Sequence, residues 1–431
     1  MYEKIKSIFE QDILKLIDDN RVDIIKTEIY REICSIDPKI KRIFDCALCH
    51  DESEFKRTIR HIFRIIVIYF QILNGKFNPP GNLKIEIFQK ICNLISKVNN
   101  INKELIPCIL LFHDIGKPFD RKFHPEKSAS IVKKYKLLDN YNLSFQEKLI
   151  VIKVIEYHLM MGTIYNGESS LWYLKNFVND AETSLINNNI QLLNLYLDLL
   201  VIFATLDIYG YFYGVVNENN IIQYLELRDI FYRLLMLKDD PYKFDSLMDE
   251  LTFNRIDWRL SSAIRIFQYY KINAKYSKDF FIHKIWRAFE QYSGIKVSEK
   301  NWNDIKKKYF KNTVRVQLTY GLPILMRLAL GGFKRRNWKI DENTTVKSDL
   351  IQFWVALNER IELFLKEKNP QDLPINVIWN GIPHWSKFND KIIRLFQGKI
   401  LSQIIKDSNI IIAKNGKNYN LILNFNSYLN S

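Results

Sequence analysis

Asp207 lies in the segment LVIFATLDIYGYF, and that placement limits what the chain can fold into. At helical spacing its neighbours are Leu200, Phe203 and Tyr211, so the carboxylate leaves the helix on an apolar face. His61, in TIRHIFRIIVIYF, has Ile65 and Ile68 on its side, and His158 follows Val151 and Val154 at the same spacing. Burying such a carboxylate costs several kcal/mol unless it is paired or binds a cation. Three ionisable groups on apolar faces of three separate helices need a common partner. A divalent cation within a helical bundle satisfies all of them.

His113 and Asp114 stand side by side in LLFHDIGK. Imidazole nitrogen with carboxylate oxygen is a ligand mixture suited to Mn, Fe, Zn, Co or Ni, and it tolerates Mg. Five of the seven histidines fall within the first 160 residues: His50, His61, His113, His124 and His158. Taken singly these residues say little. A lone histidine on an apolar helix face is usually a satisfied core residue, and a lone buried aspartate usually caps or pairs. The signal is the combination, in this order and in these helical contexts.

The rest of the pattern is predominantly α. Fourteen glycines and eleven prolines leave few places for tight turns in 431 residues. Helices are expected over about 54–73, 84–98, 125–135, 145–160 and 189–213, with the ELIPCILLFHDIGKP helix broken by Gly116 and Pro118. Ser144 and Glu147 form a capping-box signature. Alternation over 312–320, and in IIIAKNGKNYNLILNF around Asn415-Gly416, predicts one short strand and a small C-terminal β-hairpin. Three regions follow: helices over 1–50, a bundle over 51–217 ending at the Asn217–Asn220 cluster, and a basic, mostly helical region over 218–431.

From His61 to about Gly214 the chain resembles the HD superfamily of metal-dependent phosphohydrolases, most of all the HD domains that accompany tRNA nucleotidyltransferases and poly(A) polymerases. The likeness rests on HDIGKP followed by HPEKSAS, on the helix ending in EYHLMMG, and on LVIFATLDIYGYFYG. It implies His61, His113, Asp114 and Asp207 as metal ligands. It implies His124 and His158 as ligands of a second ion or as phosphate contacts, and Lys117 facing the substrate phosphate. A lysine there also makes physical sense, as a point cation beside a metal that offsets phosphate charge. One ion or two, with Asp114 bridging, are both open. Nothing before His61 looks like a nucleotidyltransferase domain, and no Walker A loop is present. A CCA-adding enzyme, a poly(A) polymerase and a fused kinase or helicase are therefore not expected. The further motifs of deoxynucleotide triphosphohydrolases and of cyclic-di-GMP phosphodiesterases are also missing.

Charge divides the chain. Through residue 220 there are 28 basic and 27 acidic residues, against 35 and 21 beyond it. Such asymmetry fits one half that meets a polyanion. Lys306, Lys307, Lys308 and Lys311 form one cluster, and Lys334, Arg335, Arg336 and Lys339 another. Trp302, Tyr309, Phe310, Tyr320, Phe333 and Trp338 are interleaved with them. Cations for phosphates and rings for stacking suit a single-stranded nucleic-acid surface; a solvated face of a lysine-rich protein has the same composition. Cys46, Cys49 and His50 spell the C-x-x-C-H of haem attachment, but the N-terminus carries no export signal. No apolar run reaches about 18 residues, so no membrane span is expected and the protein reads as cytoplasmic. The expected activity is hydrolysis of a phosphoester in a nucleotide or nucleic acid, RNA ends or single-stranded DNA being favoured. The alternatives are a small-nucleotide phosphohydrolase with an oligomerisation region, and a binding protein on a non-catalytic HD scaffold.

Overall fold

The computed structural model describes residues 2–10, 13–79, 83–211, 216, 218–265, 278–318, 321–331, 343–368, 372–383, 389–414, 416 and 418–429. The chain is mostly helical with one small sheet. It divides into two compact units, 1–162 with 180–236, and 163–179 with 237–431.

The first unit is a helical bundle. Its centre is the 22-residue helix Glu52–Leu73, started by Asp51, whose side chain accepts the Glu54 N–H. That cap fixes the helix register and therefore where His61 emerges. Leu105–Phe112 is buried along its whole length and ends at His113. His124–Lys134 opens with His124 and a proline in its first turn, where the missing N–H costs nothing. Phe145–Tyr157 begins with the predicted capping box: Ser144 N–H donates to Glu147 at 2.7 Å, and Glu147 N–H to Ser144 Oγ at 3.2 Å. It ends at His158. Ile190–Tyr209 carries Asp207 in its last turn. By length and hydropathy this helix could cross a membrane, but most of it is buried inside the protein.

The sequence boundary at 217 falls before a helix that stays with this unit. Glu218–Leu235 is held by Arg228, which pairs with the buried Asp198 at 2.8 Å, and Lys97 meets the same carboxylate at 2.6 Å.

The second unit combines helices with a four-stranded sheet. Its strands are β1 (Val316–Gln317), β2 (Ile375–Asn380), β3 (Asn409–Ile412) and β4 (Tyr419–Asn424), in the order β1-β2-β4-β3. The expected hairpin is the antiparallel β3–β4 pair, with Gly416 at φ +67° in its turn; Asn415 lies outside the described residues. The sheet is larger than expected because β2 pairs in parallel with both β1 and β4. Val377, Leu421 and Leu423 are fully buried on its inner face. The helix Ser348–Lys368 supplies a large share of this core, including Trp354 at 0% exposure.

Candidate metal centre

Five segments of the first unit deliver six polar side chains to one place, and the His113–Asp114 pair is its middle. Asp114 is fully buried, and its two oxygens look in different directions. Oδ2 faces His113 Nε2 at 3.2 Å and His61 Nε2 at 3.7 Å, and it accepts a hydrogen bond from the Lys117 ammonium. Oδ1 faces His124 Nε2 at 3.3 Å and His158 Nε2 at 3.8 Å. Asp207 completes the first side: its Oδ1 lies 2.9 Å from His61 Nε2 and 3.7 Å from His113 Nε2.

The backbone sets the direction of three imidazoles. His113 Nδ1 lies 2.9 Å from the Leu110 carbonyl, His124 Nδ1 3.0 Å from that of Arg121, and His158 Nδ1 2.7 Å from that of Ile155. A carbonyl only accepts, so each Nδ1 carries the proton and donates. Each Nε2 is then left with a lone pair aimed inward, the tautomer a metal ligand needs. Lone pairs of nitrogen facing lone pairs of carboxylate oxygen repel unless a cation lies between them. Consistent with that, the buried Asp114 Oδ1 and His113 Nε2 have no hydrogen bond.

Electrostatics keep these groups in their ligating forms. Burial pushes the His158 imidazole down to about 4, and burial together with the nearby Lys117 charge holds His124 well below its ordinary value. Burial would raise Asp114, but the imidazole of His113 and the ammonium of Lys117 beside it outweigh that and keep the carboxyl well below the usual range. For Asp207, burial is outweighed by the close contact with His61, which brings it to about 2. Burial would deprotonate Lys117, but Asp114 beside it raises its pKa, so it stays an ammonium.

The donor atoms of His61, His113 and Asp114 lie within 4.8 Å of one another, as do those of Asp114, His124 and His158. Nitrogen and oxygen donors, deprotonated and buried, fit one or two divalent ions of the Mn, Fe, Co, Ni, Zn or Mg type. A third acidic group, Glu156, Asp180 and Glu182, already holds a cation: Lys153 Nζ reaches them at 2.7, 2.6 and 2.8 Å.

Residues 85–191 match the family model of the HD domain. The chain carries an HD domain. That domain is the mark of metal-dependent phosphohydrolases. The matched segment takes in His113, Asp114, Lys117, His124 and His158, while His61 and Asp207 flank it. No curated protein and no solved structure matches the chain.

Two glycines in the HD region matter for a reason the sequence does not display. A Cβ on Gly210 would lie 2.4 Å from His61 Cε1, so only glycine leaves room for that ring. A Cβ on Gly116 would meet the Ser128 nitrogen at 2.6 Å, and Gly116 N–H donates to Ser128 Oγ, docking the HDIGKP turn on the His124 helix. Tyr211, half exposed, packs its ring 4.6 Å from that of His61 at the edge of the centre. Helical spacing from Asp207 could have marked it.

The basic clusters look different in the fold. Lys306 is buried and pairs with Asp257 at 3.1 Å, and Trp302 donates to the same carboxylate at 2.7 Å. Trp302 and Phe310 belong to the core. Lys307, Lys308 and Lys311 are exposed. Lys334, Arg335, Arg336 and Lys339, with Tyr320, Phe333 and Trp338, lie outside the described residues. Cys46 and Cys49 are exposed on the helix Pro38–His50, and His50 Nδ1 reaches the Pro118 carbonyl at 2.9 Å.

Proposed function

We propose that this protein hydrolyses a phosphoester of a nucleotide or nucleic acid at the Asp114 centre, with His61, His113, Asp114 and Asp207 holding one divalent ion and Asp114, His124 and His158 a second. The observation that carries the reading is the pair of Asp114 oxygens, each facing two inward-aimed imidazole nitrogens. When bound, such ions supply Lewis acidity towards a phosphoryl oxygen and lower the pKa of water.

The chain's own residues do the rest. Asp114 would contribute one oxygen to each of the two positions. The three backbone-anchored imidazoles hold their geometry without rearranging, which preorganises the site. Lys117 stays charged and sits against Asp114 at 18% side-chain exposure, close enough to the surface to face a phosphate oxygen. Tyr211 forms an aromatic wall next to His61.

The choice of a nucleic acid over a free nucleotide is supported by the basic excess beyond residue 220 and by exposed Lys307, Lys308 and Lys311. The inward packing of Lys306, Trp302 and Phe310 favours the second reading, a small-nucleotide phosphohydrolase. One experiment separates the two. The Mn²⁺-loaded protein is assayed on bis-p-nitrophenyl phosphate, nucleoside monophosphates, single-stranded DNA, and RNA with terminal or cyclic phosphate. Binding of a single-stranded oligonucleotide is measured across salt concentrations. The nucleic-acid reading expects turnover of polymer ends or strands, with a log–log salt slope that falls by roughly 0.7 for each of the three lysines replaced by glutamine. Turnover of monophosphates alone with salt-independent oligonucleotide binding establishes the second reading. No turnover of any phosphoester defeats both.

A further inference from the structure

Glu54 is not among the six side chains around Asp114, yet its carboxylate is 1% exposed and fully engaged. Arg57 Nη2 reaches its two oxygens at 2.6 and 2.7 Å, and Arg121 Nη2 reaches Oε2 at 2.7 Å. Arg121 also meets Asp51 at 3.2 Å. Its backbone carbonyl is the acceptor for His124 Nδ1–H at 3.0 Å. Nearby, His50 Nδ1 donates to the Pro118 carbonyl, and the His50 ring packs on Phe119 at 5.3 Å.

These contacts form one clasp. His50, Asp51 and Glu54 all sit at the junction of the helices Pro38–His50 and Glu52–Leu73, and the second of these carries His61. They grip 118–121, the segment that connects Asp114 and Lys117 to His124. The clasp therefore ties the helix of one proposed cation position to the loop that supplies the other. Closing a loop alone needs no buried carboxylate, since apolar contacts do it at lower cost. A carboxylate holding a guanidinium by charge-assisted bonds adds direction. Here the direction is that of the Arg121 peptide, and so of the His124 ring, whose Nε2 stands 3.3 Å from Asp114 Oδ1.

We infer that Glu54 is a positioning residue: through Arg121 it aims His124 at Asp114 and so sets the affinity of the cation position formed by Asp114, His124 and His158, leaving the position of His61, His113 and Asp207 unchanged. The inference rests on the two-cation reading above.

The test is a Mn²⁺ titration of the full chain by calorimetry, with melting temperature recorded alongside, for wild type, Glu54→Gln, Arg121→Gln and Arg121→Lys. Arg121 is 39% exposed on its side chain, so its variants keep the test informative if Glu54→Gln folds poorly. Wild type binds two ions. Glu54→Gln and Arg121→Gln weaken one of them by roughly 10- to 100-fold and leave the other unaltered, the usual size of an effect passed through a ligand's hydrogen-bond partner. Arg121→Lys, which keeps a charge for Glu54, recovers part of the loss. Two unaltered affinities in both Gln variants overturn the inference. So does an equal loss at both positions with a lowered melting temperature, which marks a purely structural role. A wild type that binds fewer than two ions removes the two-cation reading itself, and the inference with it.

Discussion

Replacing Gly210 with alanine adds one carbon at the point where the account is most sensitive to geometry. The added Cβ would lie 2.4 Å from His61 Cε1 and from Ile65 Cγ2, and 2.5 Å from His61 Nδ1, against ordinary contact beginning at 3.4 Å. The imidazole must therefore retreat by about 1 Å, a displacement that can cost on the order of 100-fold when it moves a group out of productive alignment. Its room to retreat is limited by the rings of Tyr211 at 4.6 Å and His113 at 5.3 Å. The backbone gives no reason for harm: Gly210 has φ −64° and ψ −22°, which alanine adopts freely. On propensity alone the change would stabilise by roughly 0.5–1 kcal/mol. Overpacking at this position should reverse that sign, with a net loss of about 1–2 kcal/mol. The assays are Mn²⁺ affinity, phosphodiester turnover and thermal melting, with Gly162→Ala as the control, because its Cβ meets nothing within 4 Å. The expected result is a large loss of metal affinity and turnover in Gly210→Ala and none in Gly162→Ala. Unchanged affinity and turnover in Gly210→Ala would refute the reasoning that His61 holds the ion in this position.

Three other outcomes follow from particular contacts. Lys117→Met should lower turnover by roughly 100- to 1000-fold while leaving bound metal unchanged, since its ammonium is assigned to the phosphate rather than the ion; metal analysis beside steady-state kinetics checks it. Lys153→Met should destabilise by about 3–5 kcal/mol, read by denaturant unfolding, because it removes the buried ammonium that Glu156, Asp180 and Glu182 share, although Glu182 keeps its pairing with Lys133. Burial raises the Glu168 carboxyl to about 7, only partly offset by the N–H groups of Leu322 and Gly321 that it accepts. A folded-state pKa above the unfolded one favours the fold at low pH, and that contribution is lost as pH rises from the unfolded value of 4.5 through about 7. Glu168→Gln should therefore match wild type near pH 4 and exceed it at pH 8, by at most about 3 kcal/mol, in melts taken across that range.

The centre was legible because a polar residue on an apolar helix face is a local signal. Asp207, His61 and His158 each break an otherwise hydrophobic stripe, and the fold brings all three to the His113–Asp114 pair: His61 and His158 face Asp114, and Asp207 faces His113 and His61. Gly210 was not legible as a requirement, because the need for it comes from a ring on another helix. Glu54 reads in one dimension as an ordinary acid in a first helical turn, and only Arg121, 67 positions later, reveals why it is buried. Strand β2 was missed for a similar reason: its partners are far along the chain and pair in parallel, so no turn residue marks them. The basic stretch reads in one dimension as a single patch, and the fold separates its members. Trp302, Ile305 and Lys306 fall on one side of the helix Glu299–Tyr309, and that side faces inward, with Asp257 taking the lysine.

The central claim is that the two oxygens of Asp114 serve two cations held by four imidazoles. Its most direct measurement is metal content per chain after equilibration with Mn²⁺ and removal of free ion, for wild type and for Asp114→Asn. The account predicts two ions in the wild type and none in the variant, with helicity unchanged by circular dichroism. A wild type without stoichiometric metal, or an Asp114→Asn protein that keeps both ions, would contradict it.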